Sequence, residues 1–392
     1  MKIIKQFGTL AIALLTLSTL FACNLENKKN PKILLAQATE SPKPTKDNNT
    51  VQIALLLDTS NSMDGLINQA KSQLWDIVNE FSLAKCGNET RPKLQIALYQ
   101  YGNDNLSANE GYIQQVLGFS SDLDEISEKL FSLTTNGGEE YCGKVLQTSL
   151  QQLPWNKDPD LLRMIFIAGN EPFDQGRYNY KTALTNANEK NVVVNTIFCG
   201  NYEQGINTYW KNGATLTGGE YMAIDHNKEV VHVKTPYDEI IIKLNSQLNK
   251  TYISYGSLGK QKIIAQEVQD KNALSLQEAV AVKRAVSKSS RLYNNKNWDL
   301  VDAYEDEDFE ISEIEIDELP EELQGKNEEE IKSYIALKKN EREKIQKEIK
   351  EVNAKRLAFI SNNEKSNKSG ELENAMIQAI KKQATAKNYS WE

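Results

Sequence analysis

Histidine is nearly absent from this 392-residue sequence, which holds only His226 and His232. Two imidazoles alone make a poor zinc site, and the sequence also lacks a His-Glu-x-x-His motif, a pair of Cys-x-x-Cys motifs and a glycine-rich phosphate-binding loop. Known metallohydrolase sites and nucleotide binding are therefore not supported. The adjacent Asp225 and His226 are interpreted as a surface pair at a strand end, not as an acid-base pair.

A basic stretch that could follow a phosphate backbone is also missing. The formal net charge is −8, and segment 302–330 carries fifteen acidic residues against one basic residue, Lys326. The remainder of the chain is near neutral, so nucleic acid is excluded as a partner. We expect the acidic segment to be exposed to solvent and mobile.

Long apolar runs are absent except at the amino terminus, where Lys2 and Lys5 precede an apolar run over 7–21. This pattern is typical of a signal peptide, here residues 1–23. The sequence Leu-Phe-Ala-Cys over 20–23 resembles the lipobox of bacterial lipoproteins, which implies lipidation of Cys23. A plain cleaved signal and an uncleaved anchor are the alternatives, and all three export the protein.

Residues 24–50 are mostly polar and contain Pro31, Pro42 and Pro44, which indicates a flexible tether. We therefore predict a cell-envelope protein attached to a membrane through its lipid. Asn24 is not an inner-membrane retention signal, so the outer membrane is preferred.

Cysteine is scarce, with four in the chain. If Cys23 carries lipid, then Cys86, Cys142 and Cys199 remain in an oxidising compartment. Cys142 follows a loop at one edge of the predicted sheet and Cys199 ends a strand, so both could lie on one rim, with Cys86 on the other. We predict a Cys142–Cys199 disulfide, with buried thiols as the alternative.

Strand and helix patterns alternate over 51–250. The nearly continuous apolar run 51–57 suits a strand buried on both faces, and 94–101 followed closely by 112–117 indicates an antiparallel hairpin. Further strands are predicted at 164–168, 192–198 and 221–224, with helices between them. The expected fold is α/β: a doubly wound, mainly parallel sheet with one antiparallel edge strand, followed by a helical region. Ligands of such sheets bind where the strand order reverses, which selects the loops after Leu57 and Ala168.

The first of these loops reads Asp58-Thr59-Ser60-Asn61-Ser62. Its Asp-x-Ser-x-Ser pattern, placed between a buried strand and an amphipathic helix, resembles the metal-ion-dependent adhesion site (MIDAS) of von Willebrand factor type A (VWA) domains. The resemblance implies that the two serine hydroxyls coordinate Mg²⁺ or another divalent cation, while Asp58 supplies charge through water. It also implies that a carboxylate from a bound partner fills an open position on the ion.

Two other loops depart from the family pattern. Glu139 follows Gly137-Gly138 where the family usually has threonine, and Gly169 stands where it usually has aspartate. We hypothesise that Asp58 and Glu139 together keep two negative groups at the site, so that it still holds a divalent ion. The alternative is a degenerate site that binds no metal. Asp104, in the hairpin loop, is interpreted as a turn residue, although it could assist a cation.

Residues 251–392 are predicted to be helical. A long charged helix over 328–360 has a narrow apolar stripe that must pack against something. A coiled coil with a second chain, an antiparallel hairpin with a helix over 264–286 and a solvated single helix all fit, and we favour the hairpin. A last amphipathic helix is expected over 372–382.

The function indicated is binding, not catalysis: a cell-envelope lipoprotein whose VWA-like domain binds another protein or a surface ligand. The alternative is an envelope assembly scaffold whose helical half recognises partners and whose MIDAS is degenerate. A hydrolase that uses Ser60 or Ser62 as nucleophile ranks last, because the sequence offers no base within plausible reach.

Overall fold

The computed structural model describes residues 49–86, 91–228, 233–363 and 371–391. The predicted signal peptide, the predicted lipidation site Cys23, nearly all of the predicted tether and His232 lie outside these residues. Within these ranges, no helix combines the length and the apolar composition that crossing a bilayer requires.

Six strands form the main sheet, in the order β4-β3-β1-β5-β6-β7, and all neighbours are parallel except the antiparallel edge pair β3 and β4. Two short strands, β2 and β8, pair separately. The predicted doubly wound sheet with one antiparallel edge strand is confirmed. The strands are β1 (Thr50–Asp58), β2 (Ala84–Cys86), β3 (Lys93–Tyr101), β4 (Ile113–Ser120), β5 (Arg163–Gly169), β6 (Val193–Cys199), β7 (Tyr221–Ile224) and β8 (Tyr389–Trp391).

Twelve helices occur in the described residues. They are α1 (Asp64–Leu83), α2 (Leu123–Phe131), α3 (Cys142–Gln152), α4 (Tyr180–Glu189), α5 (Tyr202–Asn207), α6 (Trp210–Thr215), α7 (Asp238–Asn249), α8 (Gly256–Leu276), α9 (Glu278–Lys288), α10 (Leu300–Ala303), α11 (Glu328–Asn363) and α12 (Glu371–Thr385).

Strand β1 lies at the centre of the sheet and is buried along its whole length, which explains its continuous apolar run. Its side chains alternate between two hydrophobic cores. Ile53 and Leu55 face a core completed by α1, α2, α7, α9 and α12, whereas Ala54 and Leu56 face a core completed by α3, α4 and α6. The sheet is therefore covered by helices on both faces.

The acidic segment is partly folded rather than wholly exposed and mobile. Ile311, Leu319 and Leu323 are buried against Ile331 and Ile335, close to the start of α11. The expectation that the whole segment is exposed was wrong because it considered only the charge. These apolar residues, spaced between the carboxylates, attach the segment to the chain while most of its carboxylates face solvent.

Helix α11 packs mainly against α7, and less extensively against α10 and α9, so the predicted hairpin with a single helix over 264–286 is not formed. The reason is local: α8 is joined to α9 by the single residue Gln277 and packs against that helix instead. The apolar stripe of α11 is buried within the chain, with Ile335 and Ile349 fully inaccessible. The stripe thus finds its partner within the same chain.

A buried ion-pair cluster fixes α11 to α10 and to the N-cap residue of that helix. The Arg342 guanidinium donates to Asp299 and to Asp302, each at 2.7 Å, and lies 4.0 Å from the centre of the Tyr252 ring. Asp299 is fully buried. Since an unpaired charge there would be costly, this pair specifies how α11 docks.

Candidate functional site

Asp58 is the last residue of β1 and lies at the carboxyl edge of the sheet, where the strand order reverses. The chain leaves β1 to form β3 on one side and later crosses to β5 on the other. The Ser60 backbone N–H donates to Asp58 Oδ1 at 2.8 Å. Asp58 Oδ2 is buried and has no hydrogen-bond partner among the described residues. One carboxylate oxygen is therefore available to a ligand.

Two serine hydroxyls lie at the same edge. Ser60 Oγ and Ser62 Oγ are 3.5 Å apart, and the Asn170 side-chain amide, from the loop after β5, donates to Ser62 Oγ at 3.2 Å. His226 Nε2 lies 3.0 Å from the Ser62 backbone oxygen. The structure thus brings Asp58, Ser60 and Ser62 together. Residues of two other loops, those after β5 and β7, contact the loop that carries them.

Glu140, and not Glu139, is the glutamate that faces Asp58. Glu139 is exposed and accepts a hydrogen bond from Gln175 Nε2 at 3.3 Å. Glu140 is 8% exposed, and its side chain meets Asp58 beside Gly102. A Cβ on Gly102 would lie 2.6 Å from Glu140 Cγ and 3.0 Å from Asp58 Oδ1, and φ is +75° there. Gly102 therefore makes room for the two carboxylates.

The pKa of the Asp58 carboxyl is raised to about 8, mainly by burial and also by the charges of Glu140 and Glu171, against hydrogen bonds from Ser60. Burial also raises the pKa of Glu140 to about 7, with smaller contributions from Glu171 and Glu139. The Ser60 hydroxyl, which hydrogen-bonds Glu140, opposes this shift. The pocket therefore holds two carboxyl groups that no lysine or arginine of the described residues pairs with, and without a cation their protonated forms are favoured.

Gly169 departs from the family pattern because Tyr101 occupies the space of a side chain. A Cβ on Gly169 would lie 2.4 Å from Tyr101 Oη and 2.9 Å from Asp58 Oδ2. The Tyr101 hydroxyl donates to the Ala168 carbonyl at 2.9 Å, and burial holds its pKa well above the usual range. A neutral phenol therefore stands where a third-loop carboxylate would be, which lowers the charge that faces a cation.

The paired glycines fix the second loop against the hairpin loop. A Cβ on Gly138 would lie 2.8 Å from the Gly102 carbonyl oxygen, and the Asp104 backbone N–H donates to the Gly137 carbonyl at 2.5 Å. Asn103 donates to the Thr134 carbonyl at 2.9 Å. The Asp104 carboxylate itself is exposed beside Gly137, at the rim of the site.

The predicted Cys142–Cys199 disulfide is not formed, since both thiols are free. Cys142 begins α3 in the core on one face of the sheet, where its sulfur lies 3.8 Å from Tyr101 Oη. Cys199 ends β6 in the core on the opposite face. The prediction considered which edge of the sheet each cysteine lies on but not which face.

An aromatic row adjoins the second loop. The ring centres of Tyr112 and Tyr141 are 6.3 Å apart, and those of Tyr141 and Tyr178 are 5.7 Å apart. Lys144 Nζ lies 5.1 Å from the centre of the Tyr178 ring. Half-buried tyrosines next to a charged pocket are common where proteins bind partners, because each offers a large rigid surface with a polar tip.

Carboxylates alone do not make a metal site in this structure. Among residues 49–86, 91–228, 233–363 and 371–391, no three Asp, Glu, His or Cys side chains converge as a group that could hold a metal ion. A cation would need the serine hydroxyls and water as well as Asp58 and Glu140. The buried Asp58 Oδ2 without a partner and the two adjacent hydroxyls fit such a mixed oxygen site for Mg²⁺.

Residues 52–208 match the family model described as von Willebrand factor type A domain, so this part of the chain is a VWA domain. VWA domains are generally binding modules, and many hold a divalent cation at a MIDAS. A comparison with curated proteins gives no match.

Solved structures with a similar chain path include the following three. Proximal thread matrix protein 1 from the mussel byssus, with zinc in its MIDAS motif, is 15% identical over 46% of this chain and 43% of its own, with a TM-score of 0.36. The SpRpn10 VWA domain is 13% identical over 44% of this chain and 87% of its own, with a TM-score of 0.33. The pilus adhesin SpaC from Lactobacillus rhamnosus GG is 14% identical over 46% of this chain and 28% of its own, with a TM-score of 0.34. The chain spans less than half the length of the mussel and pilus proteins.

Proposed function

Because residues 52–208 are a VWA domain, we propose that this protein is a cell-envelope binding protein. Its VWA domain holds a divalent cation at the carboxyl end of β1 and uses it to bind another protein or a surface ligand. The observation that carries the proposal is the buried Asp58 carboxylate, whose Oδ2 has no partner among the described residues.

A purely structural role for Asp58 and Glu140 does not account for their surroundings. Buried carboxylates in a folded protein are normally paired with a cation or fully hydrogen-bonded, because an uncompensated charge costs several kcal/mol. Here two carboxyl groups share one pocket, and no lysine or arginine of the described ranges forms an ion pair with either. A bound divalent cation would compensate both.

Each ligand would have a distinct task. The hydroxyls of Ser60 and Ser62 would bind the ion directly, Glu140 would supply a carboxylate from the second loop, and Asp58 would add charge through water. Glu140 thus takes the role that the sequence analysis gave to Glu139. The cation, when bound, would supply an open position for an oxygen of the ligand.

The Tyr101 hydroxyl and Gly169 affect how strongly the bound cation would attract an acidic ligand. Without a third-loop aspartate, the negative charge comes from Asp58 and Glu140, with Glu171 nearby. A glutamate bound directly to the ion neutralises more of its charge than a threonine would. We therefore propose a site whose hold on an acidic ligand is modest, with added contact area from the tyrosines at 112, 141 and 178.

Attachment to the envelope is part of the proposal and rests on the amino-terminal sequence. The charged start, the apolar run over 7–21 and Cys23 support export and lipidation. Incorporation of labelled palmitate into the wild-type chain, and its loss in Cys23→Ala with release of the protein from the membrane fraction, is the expected result. Unchanged membrane association of Cys23→Ala would contradict it.

A scaffold that recognises its partner through a coiled coil needs the apolar stripe of α11 to face a second chain. The stripe of α11 that suggested a coiled coil is instead packed inside the chain, since Ile331, Ile335, Ile349 and Val352 are all buried. The binding role of the VWA domain is therefore the better supported proposal.

Calorimetric titration of Mg²⁺ and Mn²⁺ into the purified chain tests the site. We expect binding by the wild type, loss of binding in Asp58→Ala and at least tenfold weaker binding in Glu140→Gln. Glu139→Gln is the matched control, because it removes the neighbouring exposed carboxylate and leaves the pocket unchanged. A larger loss in Glu139→Gln than in Glu140→Gln would refute the assignment, and no binding by the folded wild type at millimolar metal would refute the site.

A further inference from the structure

Three helices of the carboxyl-terminal half bring a lysine, an asparagine and an aspartate together away from the VWA site. Lys288 ends α9 and is fully buried, Asn249 ends α7 and Asp270 lies on α8. Lys288 Nζ donates to Asn249 Oδ1 at 2.5 Å and to Asp270 Oδ2 at 2.9 Å. The Asn249 side-chain amide donates to the same Asp270 oxygen at 2.7 Å. One carboxylate thus bridges an amine and a carboxamide that touch each other.

The surroundings make the amine easier to deprotonate. Lys288 is completely desolvated and shares Asp270 with a second buried cation, Arg284, whose Nε lies 2.6 Å from Asp270 Oδ1. Desolvation and the Arg284 charge lower the pKa of Lys288 to about 8 against the attraction of Asp270. An amine in this range is nucleophilic for a useful fraction of molecules near neutral pH.

We propose that Lys288 and Asn249 form an intramolecular isopeptide bond, assisted by Asp270. Lys288 Nζ attacks Asn249 Cγ, so that a bond between Nζ and Cγ forms and the bond between Cγ and Nδ2 breaks. Asp270 accepts a proton from Nζ and delivers a proton to Nδ2, which leaves as ammonia. The exchange of one amide for another needs no oxidant and no co-reactant. Holding the amine against the carboxamide raises the rate of the reaction.

The bond would connect α7, which packs on the main sheet, to the helical region that follows it. It would join α7 to α9 across 39 residues of sequence. In the described residues Cys86, Cys142 and Cys199 are all free thiols, so no disulfide among them performs this task. A covalent link that resists reduction would keep the two halves together in a protein that holds a ligand outside the cell.

Mass spectrometry of the full chain tests the proposal. We expect the wild type to be lighter than its sequence by one ammonia, relative to Lys288→Met, and a proteolytic digest to contain one linked peptide pair joined through residues 249 and 288. Asp270→Asn should leave the two peptides separate. The matched control is Asn245→Ala, because the Asn245 amide also donates to Asp270 Oδ2, at 2.8 Å, yet takes no part in the reaction.

The peptide map separates the proposed link from other reactions of asparagine. A succinimide at Asn249 would also lose ammonia but would leave the peptides unjoined, and deamidation would replace the amide by a carboxylate. Either result, or a wild type with both peptides unmodified after prolonged incubation at mildly alkaline pH, overturns the proposal. These outcomes are independent of metal binding at Asp58.

Discussion

Replacing Gly169 by alanine tests whether Tyr101 has taken the space of a third-loop side chain. The new methyl group would lie 2.4 Å from Tyr101 Oη and 2.9 Å from Asp58 Oδ2, both closer than carbon and oxygen normally approach. Because the phenol is buried and its hydroxyl is bound to the Ala168 carbonyl, the ring cannot simply swing away. Overpacking of this kind costs about 1–3 kcal/mol, and we expect Gly169→Ala to fall in that range.

A double-mutant cycle isolates the contact. Tyr101→Phe deletes the oxygen that collides and by itself should cost about 1 kcal/mol through the lost hydrogen bond. In that background Gly169→Ala should cost less, with a coupling free energy of about 0.5–2 kcal/mol. The remainder of its cost is the contact with Asp58 Oδ2, which the phenylalanine does not relieve.

Urea unfolding of the four proteins, followed by circular dichroism in EDTA, gives the free energies of unfolding. Additive effects of the two substitutions would refute the reasoning, since the collision with the hydroxyl would then contribute nothing. Stabilisation by Gly169→Ala alone would refute it as well. Leu337→Ala, at an exposed position on α11, is a control expected to change stability little.

Three further predictions concern pH and the helical region. Without metal, the free energy of unfolding should fall as pH rises from about 4 to about 8. The reason is that folded Asp58, with a pKa of about 8, holds a proton that the unfolded chain, with the ordinary value of 3.8, releases. Thermal melts of Asp58→Asn should show a smaller dependence of stability on pH, and an unchanged dependence would contradict the prediction. Arg342→Leu should cost about 3–5 kcal/mol in urea unfolding by leaving the buried Asp299 unpaired, whereas Lys347→Ala, 79% exposed, should change little. Ile349→Ala should cost about 2–5 kcal/mol without changing the sedimentation of the protein, whereas dissociation of an oligomer would show that the α11 stripe pairs with a second chain.

The sheet could be predicted because its signals are local. A fully buried central strand requires a nearly continuous apolar run, and β1 shows one from Val51 to Leu57, interrupted only by Gln52. The Asp-x-Ser-x-Ser loop follows directly, so Asp58, Ser60 and Ser62 are fixed at the strand end by chain connectivity alone. The short pair β2 and β8 gave no such signal, since it joins residues about three hundred positions apart over only three residues each.

The structure differs from the predictions about Glu139 and the cysteine pair where the conformation of a loop or the face of the sheet decides which way a side chain points. Which of the consecutive Glu139 and Glu140 points inward depends on how Gly137-Gly138 packs on the hairpin loop, and sequence spacing does not specify that. The cysteine pair was within reach of sequence reasoning. Strand alternation puts Cys199 on the same face as Ile197 and opposite Phe198, so the face of the sheet could have been assigned before the pair was proposed.

Helix partners in the carboxyl-terminal half depended on contacts that periodicity does not encode. The stripe on α11 predicted burial correctly, but its partner is set by Arg342 reaching Asp299 and Asp302 and by Arg356 reaching Asp238 at 2.7 Å. The paired residues are 43, 40 and 118 positions apart in the sequence. A helical pattern shows that a face must be covered, and not by which element.

Crystals grown with Mn²⁺ and measured at the manganese absorption edge test the central claim most directly. The account predicts one anomalous peak at the carboxyl end of β1, within bonding distance of the Ser60 and Ser62 hydroxyls and of Glu140, with Asp58 one water away. A well-ordered site without a peak, or a peak held by Glu139 and not Glu140, would contradict it.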